Sequence, residues 1–106
     1  MAHYREALRL GPGLVSACHN LGDVLYAMGR VDEAAVQHRA VLEREPQSAE
    51  AHDDLGMALA GMGRFSEAAA RFKEALRLEP DFTEARTNLE KASSLLAPGR
   101  FPDSVN

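Results

Sequence analysis

The sequence aligns with itself when shifted by 34 residues, and this period constrains the fold more than any other property of the chain. Val15–Ser48 lies over Ala49–Phe82 without a gap. Thirteen pairs are identical, among them Leu21/Leu55, Gly22/Gly56, Ala34/Ala68 and Pro46/Pro80. Typical composition gives about two identities by chance over such a length. A unit this short cannot bury its apolar face alone, so copies must stack and share one continuous core. The register extends outward on both sides. Tyr4–Leu10 followed by Pro12 matches Phe72–Leu78 followed by Pro80, and Thr83–Ala97 matches the first half of a repeat.

Each repeat reads as two helices. Ala, Leu, Glu and Arg are abundant and aromatics make up only 6% of the chain, a balance that favours helix over sheet. In the first helix Ala17, Leu21, Val24, Leu25 and Met28 recur at spacings of three and four, predicting one apolar stripe. Gly29 is placed to end it in the left-handed conformation. Asp32 and Ser66 are the expected N-caps of the second helices, with Val31 and Phe65 in the staple position. Pro46 and Pro80 stop those helices, and Asp81 with Glu84 forms a capping box for the last one. Gly22 and Gly56 sit mid-helix, where Gly costs about 1 kcal/mol relative to Ala. Close approach of the paired helix at Ala34 and Ala68 is the expected reason.

These residues resemble the tetratricopeptide repeat. Leu21-Gly22, Leu25, Ala34, Val41 and Pro46 fill its signature positions, as do Leu55-Gly56, Leu59, Ala68, Phe72, Ala75 and Pro80. The resemblance implies an all-α fold, a right-handed α-α superhelix of antiparallel hairpins. About six helices are expected, over 1–10, 14–28, 32–45, 48–62, 66–79 and 82–97. The array then spans 1–97: a truncated repeat over 1–14, full repeats over 15–48 and 49–82, and a terminal helix over 83–97. Residues 98–106, with two prolines and no periodicity, are expected as a flexible tail. The sequence departs from the signature where Cys18, His52 and Arg86 replace its first aromatic, His38 replaces its second, and Glu90 replaces the packing glycine.

The chain offers little to a catalytic reading, and no enzyme activity, cofactor or metal site is expected. The single cysteine, Cys18, falls in a packing slot, where a free thiol is inert. His38 and His52 also fall in packing slots. His19 and Asp23, four apart, face Glu50, Asp53 and Asp54 on the next first helix. That set has the chemistry to hold a divalent cation but lacks a tight ligand motif, and it reads as a solvated acidic face. A formal charge of -4 with scattered basic residues argues against nucleic acid. No apolar run approaches the roughly 20 residues that span a bilayer, and Met1–Leu10 carries no apolar signal region. The cytoplasm is the default expectation.

What remains is the groove. By the resemblance, first helices of successive hairpins line a concave surface that takes peptides or partner segments. The inward positions expected to bind are Asn20, Asp23, Tyr26, Glu50, Asp53, Asp54, Met57, Glu84, Asn88 and Lys91. Asn20, Asp54 and Asn88 are spaced by 34 and 34, which resembles the asparagine ladder of the arrays attached to O-GlcNAc transferases. The carboxylate clamp of chaperone-binding arrays falls here on His19, Asp23, Asp54, Glu84 and Asn88, whose acids would repel a terminal carboxylate. The expected function is therefore a protein–protein interaction module whose peptide or protein partner is basic. Two rivals are a substrate-selecting segment of a larger enzyme, such as a glycosyltransferase, and a self-associating scaffold. The scaffold reading rests on Tyr4 and Leu8, an apolar face left open if the chain is a fragment of a longer array.

Overall fold

The structure, a computed structural model, describes residues 13–96. It contains α1 (Gly13–Ala27), α2 (Val31–Arg44), α3 (Ala49–Gly61), α4 (Phe65–Leu78) and α5 (Thr83–Leu96). These are five of the six expected helices, with each end shifted by one residue. The helix expected over 1–10, its Tyr4 and Leu8, and the tail over 98–106 lie outside the described residues. Each helix packs chiefly on the next, while α1 and α3, and α3 and α5, touch more lightly along one side. That arrangement is a stack of antiparallel hairpins, 57 × 28 × 19 Å in extent. The first helices α1, α3 and α5 share one wall.

The turns inside the hairpins follow from their glycines. Gly29 and Gly63 have φ of 81° and 80°, the left-handed region that a Cβ disfavours. This lets the amides of Arg30 and Arg64 reach back to the carbonyls of Leu25 and Leu59, at 2.9 Å each. The second helices begin earlier than expected, because Arg30 and Arg64 occupy the cap positions and neither caps through its side chain. Asp32 and Ser66 thus lie inside the first turn and are not N-caps. Glu33 and Glu67 instead pair back to Arg30 and Arg64. Ser48 is the side-chain cap that forms, its Oγ accepting from the Ala51 amide at 3.1 Å. The last helix starts at Thr83, and the Phe82 carbonyl accepts from the Arg86 amide at 3.2 Å.

The main core lies between α2, α3, α4 and α5. Ala34, Ala35, Leu55, Ala58, Leu59, Ala68, Ala69, Phe72 and Ala92 form it. The mid-helix glycines are explained by rings, not by the alanines expected. A Cβ on Gly22 would lie 2.7 Å from the His38 ring, and one on Gly56 would lie 2.5 Å from that of Phe72. Ala34 and Ala68 are fully buried beside them.

The apolar stripe of α1 is only partly realised. It buries Val15, Cys18 and Gly22, whereas Ala17, Leu21, Val24 and Met28 are exposed. Leu55, in the same repeat position as Leu21, is 3% exposed against 46%, because α2 and α4 cover α3 from both sides. Among the described residues, α1 packs chiefly on α2, so its other side has no such cover. No helix among the described residues is long and apolar enough to cross a membrane.

Candidate functional site: an acidic groove with a histidine cluster

The wall formed by α3 and α5 borders a groove of about 690 Å³. Seven of the expected binding residues line it: Glu50, Asp53, Asp54, Met57, Glu84, Asn88 and Lys91. Asp23 and Tyr26 line a smaller cavity of about 220 Å³ with His38, Asp54 and Met57. Asn20 is exposed and lines neither. Glu79 and Phe82 also line the larger groove. They sit on the loop between hairpins, which reasoning from helix positions passes over.

The groove's charge is one-sided. Glu50, Asp53, Asp54, Glu79 and Glu84 face it, against Lys91 alone. Asp53 is 4% exposed and accepts a hydrogen bond from Asn88 Nδ2 at 3.0 Å. Burial holds its carboxyl above the usual range; the Asn88 bond works the other way, and Glu84 and Glu50 push it up further. Asp54 is pushed up to about 7, mainly by burial and then by the charge of Asp23, with His19 opposing. Like charges crowded at a half-dry surface hold on to protons until a cation arrives.

The three positions of the expected ladder do different things. Asn20 faces solvent, the Asn88 amide is held by Asp53, and Asp54 turns toward two histidines. His19 stands between carboxylates, with Nε2 3.2 Å from Asp23 and 3.7 Å from Glu50, and Nδ1 3.4 Å from Asp54. His38 Nε2 is 3.7 Å from Asp23, and its Nδ1 is 4.0 Å from Asp54. Burial lowers the pKa of His38, so its ring is held neutral. The packing reading of His38 captured its place under Gly22 and missed its neighbours, which come from two other helices.

The remaining polar departures are satisfied locally. His52 is hydrogen-bonded through Nε2 to the Pro46 carbonyl at 3.0 Å and through Nδ1 to Arg71 at 3.1 Å. Arg86, 34 residues later, donates to the Pro80 carbonyl at 2.7 Å. Both replace the signature's aromatic with a donor that ties the inter-hairpin loop to the following helix. Cys18 is buried and burial raises its thiol pKa, as suits a packing residue.

A stack of helical hairpins with a concave charged wall defines a helical-repeat protein. A tetratricopeptide repeat family model matches residues 15–80, and the chain belongs to that family. No curated protein sequence matches it. Among solved structures, the TPR2AB domain of yeast Sti1, in a complex with pHSP90, superimposes with a TM-score of 0.79 at 18% identity. The match takes in 92% of this chain and 38% of that one.

Proposed function

We propose that the chain is a protein-interaction module without catalysis of its own, and that its groove takes an extended or helical segment rich in Lys and Arg. The observation that carries this reading is the groove lining, five acids against one base. Charges on a concave wall focus potential and steer oppositely charged partners. Met57 and Phe82 supply apolar contact beside the acids. The fold likeness to the Sti1 domain is in keeping with peptide binding. Its pHSP90 ligand does not carry over, because Asp23, Asp54 and Glu84 stand at positions where a clamp for a terminal carboxylate needs cations or amides.

Fluorescence anisotropy with labelled Lys/Arg-rich and Asp/Glu-rich peptides tests the reading. The basic peptides should bind, with an on-rate that falls as salt rises. Glu50 and Glu84 are exposed, so changing both to Gln leaves the core intact. That double variant should weaken binding by about tenfold, or 1.4 kcal/mol. Equal binding of acidic peptides, or no loss in the double variant, overturns the proposal.

A further inference from the structure

The histidine cluster is built from three helices. His19 and Asp23 come from α1, His38 from α2 and Asp54 from α3, and one donor atom from each lies within 4.8 Å of the others. His38 is 2% exposed, and its Nδ1 has no hydrogen-bond partner. Asp54 Oδ2, also buried, has none either. Buried polar atoms in folded proteins are nearly always paired, so two orphans facing each other ask for a missing partner. A protonated imidazole is a poor candidate. The separations of His38 from Asp23 and Asp54 are too long for hydrogen bonds, and its burial keeps the ring uncharged.

The next hairpin step supplies an internal control. The positions 34 residues on are Asp53, Met57, Phe72 and Asn88. There the fold is the same, yet Phe72 fills the ring slot and Asn88 hydrogen-bonds Asp53. That quartet is satisfied as it stands. The geometry therefore comes with the repeat, and the unpaired donors come with this step's residues alone.

We propose that His19, Asp23, His38 and Asp54 bind one divalent transition-metal ion of the zinc type. Two imidazole nitrogens and two carboxylate oxygens are a donor set suited to Zn²⁺; Mg²⁺ and Ca²⁺ prefer oxygen alone. Two carboxylates also balance the ion's charge. Tetrahedral ligation at zinc distances needs donor atoms about 3.4 Å apart, so the cluster must contract slightly. Asp23 and His19 are partly exposed and free to do so, while His38 is fixed by its packing against Gly22. The 220 Å³ cavity beside Asp23, His38 and Asp54 gives the ion a way in.

The test uses the full chain stripped with EDTA, then titrated with Zn²⁺ and, for its visible spectrum, Co²⁺. It needs no peptide, so its failure leaves the groove reading standing. The expected result is 1:1 binding, with the melting temperature raised by roughly 10 °C once zinc is a hundredfold above its Kd. His19→Gln and Asp23→Asn, at partly exposed positions, should each weaken binding by about tenfold or more. His38→Phe, the residue of the next step, should abolish it in a chain that circular dichroism shows to be folded. His52→Gln should leave it unchanged. Absence of 1:1 binding, or affinity that survives both His19→Gln and His38→Phe, overturns the proposal.

Discussion

Two consecutive steps of the same stack solve the same packing problem differently. In the second, Phe72 lies under Gly56 and is 1% exposed, inside the main core. In the first, His38 lies under Gly22, equally buried, with an unpartnered nitrogen and two carboxylates nearby. In both steps a ring meets the glycine at that position. Its chemistry is left open, so a repeat can exchange stability for a polar site without changing its backbone.

The largest expected effect separates the two rings. Phe72→Ala should cost about 3–5 kcal/mol of unfolding free energy in chelator. His38→Ala should cost clearly less, because it removes an unsatisfied polar group along with the buried volume. Denaturant midpoints for the pair check this, and equal losses would mean that His38 is paired in solution.

The next effect sharpens the comparison through pH. With the metal-free protein, Asp54 titrates near 7 when folded and near its ordinary range of about 4 when unfolded. A carboxyl whose folded pKa is raised favours folding while protonated. Its contribution is therefore lost as pH climbs from about 4 to about 7. His38 has the opposite sign below about 6.5, where the unfolded chain takes up a proton that the buried ring refuses. Asp54→Asn should consequently stabilise the protein at pH 8, by up to about 4 kcal/mol, and make little difference at pH 4. Melting curves of both proteins across that range decide it; a constant difference would refute the buried-charge account.

The smallest effect tests the cradle. Gly56→Ala gains about 1 kcal/mol of helix propensity but drives a Cβ into Phe72, an overpacking cost of about 1–3 kcal/mol. The net should be a loss near 1 kcal/mol. Glu90→Ala, at the same repeat position on an exposed face, should fall within about 0.5 kcal/mol of zero. Chemical denaturation resolves the two, and equal outcomes would remove the ring from the explanation of the glycine.

The helices and their pairing were legible because a 34-residue period fixes them together, and Gly29, Gly63 and Pro46 mark their ends. Burial along α1 was not. Leu21 and Leu55 are the same residue in the same repeat position, and what covers each is decided by the neighbouring helix. The caps misled for a related reason: Asp32 and Ser66 have the right chemistry, but the glycine turn starts the helix before them. At the site, the inward placement of the acids of α3 and α5 came from the family resemblance carried along the 34-residue register, not from spacing alone. His38 was assigned to packing, which is half of its role. That it meets Asp23 and Asp54 depends on three helices converging, which no single helix pattern encodes.

The order of helix contacts has a mechanical consequence. Each helix leans mainly on its successor, while α1, α3 and α5 meet only lightly along the groove. Successive hairpins are thus joined mainly through the second helix of one and the first helix of the next, away from the groove wall. Opening or closing the concave wall would therefore break few contacts between the first helices themselves. A cation held between α1, α2 and α3 would rivet the first hairpin to the second, fixing the curvature of the wall at that step.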